Sequence, residues 1–328
     1  MPRETLLSVE NLKTYFFTRS GIVKAVDDVS FSVRQGEALG IAGESGCGKS
    51  ITCLSVVRLV PQPAGRIIAG KILFQGEDLL RKGEREMRHW RGRKIAMILQ
   101  DPLTSLNPVY TIGNQVAESF RLVGSNTPYS SIMEKVIDVL RRVKIPSAEQ
   151  RLNNYPFQFS GGMSQRVLAA MAIAQEPRLL IADEPTTSLD VTIQDQFLRL
   201  LKGMQRETNM GLILVTHDLG IVAETCDRVA IMYAGRIVEY GNVERIYKNP
   251  AHPYTEALMQ ALPKLGSKRK RLFQIEGEPP NLLNLPPGCS FQPRCPKAID
   301  ICQEKYPPVA PLAGGGHASC WLLKKEVV

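Results

Sequence analysis

The sequence predicts an α/β fold built on a parallel core sheet, and three observations carry that prediction. The apolar run Ala38 to Ala42 enters the glycine-rich octet Gly43-Glu44-Ser45-Gly46-Cys47-Gly48-Lys49-Ser50, and the amphipathic stretch Ile51 to Val60 leaves it: strand, loop, helix. The short apolar runs Ile95 to Leu99, Leu179 to Ala182 and Leu212 to Val215 each stop on polar residues, as buried strands do where they meet the ligand-binding edge of a parallel sheet. From Ile246 onward the pattern passes into proline-rich sequence, so a main domain of residues 1–245 precedes an extension of residues 246–328.

The octet fits G-x-x-x-x-G-K-[ST] without mismatch, and its strand-to-helix context is the one that motif requires. Its glycines let the backbone curl so that several N–H groups and a helix N-terminus face one anion. Lys49 adds charge for β- and γ-phosphates and Ser50 a hydroxyl for Mg²⁺. Residues Gly43 through Ile51 are therefore predicted to bind the phosphates of a nucleotide. Upstream, Leu6 to Val9, Ile22 to Val26 and Val29 to Val33 predict a region of short antiparallel strands. Just after the first of them, Tyr15-Phe16-Phe17 offers a ring to stack on the base; Phe16 is preferred, Tyr15 competes, and the remaining rings are core.

Beyond the octet, Gly65 to Phe74 predicts another strand pair, and a polar stretch, Arg81 to Lys94, precedes the strand that ends on Gln100. From that sheet edge Gln100 can reach Mg²⁺ and an attacking water. Gly113 to Val123 and Ser130 to Val143 predict helices interrupted at Ser125-Asn126-Thr127-Pro128, part of a helical insertion spanning about 103–170. It closes on Ser160-Gly161-Gly162-Met163-Ser164-Gln165-Arg166, where Ser160 caps the helix that continues through Val167 to Gln175 and two glycines bare its first N–H groups: an anion site without a lysine. Asp183 and Glu184 end a four-residue apolar strand; Asp183 is placed to hold Mg²⁺ and Glu184 to take a proton from water. After the turn Thr186 to Asp190 come the helix Val191 to Thr208, the strand Leu212 to Val215, and His217, placed to hydrogen-bond a γ-phosphate. Arg228 to Met232 and Arg236 to Glu239 predict a hairpin around Ala234-Gly235. Taken singly, Gln100 reads better as a strand-end cap and His217 as an ordinary surface or packing histidine, and Ser160 reads as a capped helix start that any protein can have.

In this order, the octet, Gln100, Ser160-Gly161-Gly162-x-x-Gln165-Arg166, Asp183-Glu184, Asp190 and His217 resemble the ATP-binding subunit of an ABC transporter, over about Leu6 to Gly241. Gln100-Asp101-Pro102-Leu103-Thr104-Ser105-Leu106-Asn107-Pro108, His252-Pro253-Tyr254-Thr255 and Gly277-Glu278-Pro279-Pro280 are similar to one branch, the ATPases of dipeptide, oligopeptide and nickel importers. Phe157-Gln158-Phe159 departs from the His-Glu-Leu common there. The resemblance implies a P-loop NTPase (RecA-like) core, an antiparallel β subdomain and an inserted helical subdomain. It implies head-to-tail pairing with a second ATPase subunit, identical or related. Each ATP would lie between the phosphate loop of one subunit and Ser160, Gly161, Gly162 and Gln165 of the other, with Asp190 contacting the opposite protomer. Two transmembrane permease subunits and an extracytoplasmic peptide-binding protein are the implied partners, on the cytoplasmic side of the cell membrane.

The remaining features bound rather than identify. No apolar run approaches the ~18 residues needed to cross a bilayer, and Met1-Pro2-Arg3-Glu4 lacks a hydrophobic signal core, so the cytoplasm is expected. The net charge of +9 lies mostly past residue 246, and its sharpest cluster, Lys268 to Arg271, reads as a solvated linker face before lipid or nucleic acid. Cys47, Cys53 and Cys226 read as small buried apolar residues. Cys289, Cys295, Cys302 and Cys320, set among prolines, point to metal in a reducing compartment. No pair has the close spacing of a zinc knuckle, while an iron–sulfur cube accepts irregular loops; zinc and four unliganded thiols stay open on residues alone. Similar tails in the importer branch carry a [4Fe–4S] cluster, which the resemblance implies here. The rivals are nickel import and an ABC ATPase acting on nucleic acid. The latter usually carries two cassettes or a long coiled coil, so no nucleic-acid partner is expected.

Overall fold

The computed structural model describes residues 4–121, 128–187, 189–262 and 273–324. The chain divides into two compact units, one made mainly of residues 82–213 and the other of residues 5–33, 38–81 and 214–328.

The second unit opens on a hairpin of β1 (Thr5–Thr18) and β2 (Gly21–Arg34). Leu7, Val9, Leu12, Val26, Val29 and Val33 alternate onto its buried face, the period of a half-buried sheet. The short segments expected here are thus two strands of fourteen residues each, and Tyr15-Phe16-Phe17 lies inside β1 rather than after it. Threonine and aromatic side chains suit a pleated surface, so the polar residues between the apolar runs do not break the strand. Every residue of β3 (Ala38–Ala42) is buried. It delivers the octet to α1 (Lys49–Val56), which stops short of the expected Val60 because Arg58 turns to φ 54°. β4 (Gly65–Phe74) is one strand, antiparallel to β1, and β5 (Glu77–Asp78) completes a sheet of order β2-β1-β4-β5.

The first unit holds α2 (Glu84–Trp90), β6 (Ile95–Ile98), α3 (Pro102–Ser105), α4 (Ile112–Arg121), α5 (Tyr129–Arg142), α6 (Ala148–Arg151), α7 (Gly161–Ile173), β7 (Leu179–Asp183) and α8 (Val191–Thr208). Val116 and Ala117 of α4, Ile132, Val136 and Leu140 of α5, and Val167 and Ala170 of α7 are buried at helical spacing, so the insertion has an apolar core of its own. β6 and β7 pair in parallel, Ile95 opposite Leu179 through Ile98 opposite Ala182, which brings Gln100 and Glu184 to the same end of the pair. β8 (Gly211–Thr216) begins in this unit and ends in the other; the order here is β8-β7-β6.

The second unit resumes with α9 (Leu219–Thr225), β9 (Arg228–Tyr233), β10 (Arg236–Asn242), α10 (Val243–Lys248), α11 (Pro253–Ala261), α12 (Ile301–Glu304), β11 (Val309–Pro311) and β12 (His317–Ser319). The β9–β10 hairpin turns on Ala234 (φ 47°) and Gly235 (φ 80°), the left-handed pair that a two-residue loop needs to match the strand twist. β9 runs parallel to β3, and the strand order is β11-β12-β10-β9-β3-β8. The extension therefore supplies two strands to a sheet rather than only wrapping loops. Lys268 to Arg271 and the break at Ser125 to Thr127 lie outside the described residues. Among those described, no helix is long and apolar enough to cross a membrane.

Candidate nucleotide site and four-cysteine cavity

The octet adopts a phosphate-loop geometry because glycine occupies the position where nothing larger fits. Gly48 has φ 105°, and a Cβ there would stand 2.2 Å from the carbonyl oxygen of Ala25. Lys49 is 4% exposed; its Nζ donates to the carbonyl oxygens of Gly43 (2.9 Å) and Glu44 (3.1 Å). The cation thus sits across the mouth of the loop, on acceptors that a phosphate can replace. Ser45 and Gly46 are exposed at the rim, and Ser50 and Ile51 are half-buried. Cys47 is a packing residue: burial pushes its thiol up to about 11, so it holds no thiolate in the loop.

Within the same unit, Phe16 is half-buried on β1, against Gly65 across the strand pair. Tyr15, its competitor, is committed elsewhere: its hydroxyl donates to Asp27 Oδ1 at 2.7 Å. Burial and that hydrogen bond hold the phenol well above its ordinary range. His217 follows β8 and is exposed, next to the Asp218 cap of α9.

In the other unit, Gln100 Nε2 donates to Glu184 Oε2 at 3.1 Å, and Thr187 Oγ1 donates to the same oxygen at 3.1 Å. Glu184 has φ 43°, a left-handed conformation rare outside glycine, asparagine and aspartate. Its neighbour Asp183 is 4% exposed at the end of β7. Ser160 caps α7, its Oγ accepting the Met163 N–H at 3.3 Å; Ser160 and Gly161 are exposed. Gln165 differs from them. It is 1% exposed, and among the described residues its buried amide nitrogen and oxygen have no hydrogen-bond partner. Asp190 is the N-cap of α8, its Oδ1 accepting the Ile193 N–H at 3.0 Å.

Sequence reasoning missed Thr187, Tyr254 and Arg294. Thr187 lay in the turn already singled out, and a hydroxyl three residues past a strand-end carboxylate is the available signal. Tyr254 and Arg294 touch Glu44 from more than two hundred residues away (Glu44 N–H to Tyr254 Oη, 2.9 Å; Arg294 Nη1 to Glu44 Oε2, 2.6 Å). No local pattern marks such a contact.

The four cysteines of the extension line one small cavity of about 10 Å³, with His252, Phe291 and Trp321 in its wall. Among the described residues, however, no group of three or more His, Cys, Asp or Glu side chains is arranged to hold a metal ion. Cys289, Cys295, Cys302 and Cys320, the residues expected to carry an iron–sulfur cluster, face a common space. As thiols, Cys289, Cys295 and Cys320 are poor acids here. Burial, reinforced by the neighbouring thiols, pushes Cys289 up to about 12 and Cys320 to about 11. His252 is neutral, burial pushing it down to about 3, and its Nδ1 caps α11 by accepting the Tyr254 N–H at 3.0 Å.

The family described as ABC transporter matches residues 26–187, and the oligopeptide/dipeptide transporter C-terminal region matches residues 238–302. The dipeptide transport ATP-binding protein DppD of Escherichia coli is 48% identical over 316 residues, covering 96% of each chain. Its Bacillus subtilis namesake is 46% identical over 319 residues, 97% of this chain and 95% of that one. The probable peptide ABC transporter ATP-binding protein y4tR of Sinorhizobium fredii is 48% identical over 319 residues, again 97% and 95%. Among solved structures, cbiO1 from Clostridium perfringens, part of the ABC transporter complex cbiONQ, superposes with a TM-score of 0.64 at 28% identity, over 75% of this chain and 92% of that one. The ATP-binding cassette MJ0796, a dimer bound to ADP and Pi, gives 0.65 at 23% identity over 72% of this chain and 98% of its own, a likeness of fold.

Proposed function

This chain belongs to the ABC transporter ATPases, and on that premise we propose that it powers the uptake of dipeptides or short oligopeptides. It binds and hydrolyses ATP as the ATP-binding subunit of a peptide importer. The observation that carries this reading is identity of 48% to a dipeptide transport ATP-binding protein over 96% of the chain, extension included.

The triphosphate lies along Gly43 to Ile51. Lys49, now resting on loop carbonyls, exchanges them for the β- and γ-phosphates, and Phe16, whose ring carries no polar group to satisfy, stacks on adenine. Ser50, Gln100 and Asp183 would supply oxygen donors to Mg²⁺, whose charge would offset that developing on the phosphates. Glu184 accepts the proton of the water that attacks the γ-phosphorus as the bond to the leaving ADP oxygen breaks. The hydrogen bonds from Gln100 and Thr187 support this role, because they hold the carboxylate ready at the strand end. His217 donates to the γ-phosphate. Ser160, Gly161 and Gly162 serve the ATP held by a second ATPase subunit, and Asp190 faces that subunit; the exposure of Ser160 and Gly161 supports this, while Gln165 acts from within its own helix.

Two permease subunits and an extracytoplasmic peptide-binding protein complete the machine, with this chain peripheral on the cytoplasmic face. Residues 1–245 form the ATPase domain and residues 246–328 the extension. Cys289, Cys295, Cys302 and Cys320 would hold a [4Fe–4S] cluster, a group that takes thiolates from irregularly spaced loops; the cavity that the four thiols share supports this. Reconstituted with permeases and binding protein, ATP turnover should rise when dipeptide is added; turnover indifferent to peptide would remove the importer reading. Protein purified without oxygen should contain iron and acid-labile sulfide that Cys302→Ser loses, and the absence of both from the unaltered chain would defeat the cluster.

A further inference from the structure

Glu44 is the second residue of the octet, a position the motif leaves open to any side chain. Here all three of its polar groups are engaged. Its carboxylate receives two parallel hydrogen bonds from Arg294, Nη1 to Oε2 at 2.6 Å and Nη2 to Oε1 at 3.0 Å. Its N–H donates to Tyr254 Oη at 2.9 Å, and its carbonyl accepts Lys49 Nζ at 3.1 Å.

Both outer partners belong to the extension, and both are themselves fixed. The Arg294 side chain is 4% exposed; its Nε donates to the carbonyl of Glu276 at 3.0 Å and its Nη1 to Tyr233 Oη at 3.3 Å. Tyr254 is fully buried, its ring 4.6 Å from that of Tyr233 and 5.3 Å from that of Phe291. A planar fork on a carboxylate specifies direction as well as attraction, and a charge-assisted pair is about twice as strong as a neutral hydrogen bond. The chain of contacts therefore runs from the extension through Glu44 to the lysine that meets the phosphates.

We propose that Arg294 and Tyr254 are positioning residues for nucleotide binding: the extension clamps Glu44 and so sets the curvature of the phosphate loop and the perch of Lys49. This rests on the reading of the octet as the ATP cradle. A clamp that only fastened the extension in place would change stability and leave ATP affinity alone, so affinity is the discriminating readout.

The test uses the full chain, with equilibrium binding of a fluorescent ATP analogue, steady-state ATP turnover and thermal melting. Arg294→Ala is expected to weaken ATP binding about tenfold, the equivalent of one charge-assisted hydrogen bond. Glu44→Gln should match it, and the double variant should be no weaker than either single change, since one interaction is removed in all three. Arg294→Lys, with the charge but not the fork, should recover part of the loss. Tyr254→Phe should weaken binding a few-fold by stripping the Glu44 N–H of its acceptor. Tyr254→Phe and Arg294→Lys carry the test if Arg294→Ala fails to fold. Variants that bind ATP with unaltered affinity, whether or not they melt lower, would overturn the clamp, as would additive losses in the double variant. Failure of the unaltered chain to bind ATP would instead sink the reading of the octet.

Discussion

Glu184 combines three features rarely found on one surface carboxylate: a strand-end position, a φ of 43°, and two side-chain donors on one oxygen. A left-handed backbone costs a non-glycine residue about 1–2 kcal/mol, which the fold supports where it aims a group. Glu184→Gln should therefore lower phosphate release by about 10²- to 10⁴-fold, the usual contribution of a positioned base, with ATP affinity retained; turnover within twofold of the unaltered chain would exclude the role. Asp27 offers a pH test. Burial pushes its carboxyl up, but hydrogen bonds from Tyr15 and Arg236 and the charges of Arg236 and Lys13 outweigh that and hold it below the usual carboxylate range. A depressed native pKa contributes stability above the unfolded value, about 3.9, that is lost as pH falls through the native value. Asp27→Asn should thus melt lower at pH 7 and converge on the unaltered chain in acid; a difference constant with pH would refute the linkage. At this scale the phosphate-loop residues, the strand-end carboxylates and the Ser160 cap were legible, because their chemistry resides in contiguous residues. The burial of Gln165 was not, since a helix position declares its face only once its neighbours are in place.

Elements with strong local terminators were read almost to the residue. α8 spans Val191–Thr208 as expected, because Asp190 caps its start and Asn209 turns to φ 54° at its end. β1 was read too short, because register shifts between Glu10 and Thr14 break the alternation, and polar Thr14 is buried while Phe17 is exposed. Other elements are locked by long-range chemistry. Glu239 of β10 is fully buried and accepts from Arg245, from the Ala251 N–H (2.9 Å to Oε1) and from the His252 N–H (2.9 Å to Oε2), pinning the start of the extension to the sheet. Glu239→Ala leaves a buried guanidinium and two N–H groups without their acceptor and should destabilise by about 3–5 kcal/mol. Chemical denaturation checks this, and a loss under 1 kcal/mol would show that water replaces the carboxylate. At Gly162, an added Cβ would meet Ile193 Cγ2 at 2.5 Å, so the glycine serves the packing of α7 on α8 as well as an open helix end.

For the whole molecule, the proposed function predicts dependence on a partner. The lysine-bearing loop belongs to one unit and the Ser160 cap to the other, and on that proposal each serves half of an ATP site. With ATP, Glu184→Gln protein should elute as a dimer, alone or with its homologous partner. Adding Gly161→Arg should return it to monomer; a monomer fully active in hydrolysis would refute the paired site. The extension is part of the same account: β11 and β12 extend the sheet that β3 belongs to, the segment between α11 and β11 carries Cys289, Arg294, Cys295 and Cys302, and Cys320 directly follows β12. The sequence by itself determined the class of chemistry, the nucleotide loop, the carboxylate pair and the kinship, because each is written in a few contiguous residues whose backbone geometry follows from their own side chains. Only the tertiary structure decided that four scattered cysteines share a cavity and that Glu44 is held by Arg294 and Tyr254. The Glu44 pairings span more than two hundred residues, and closing so long a loop is dictated by the packing of the whole unit rather than by any signal at its ends.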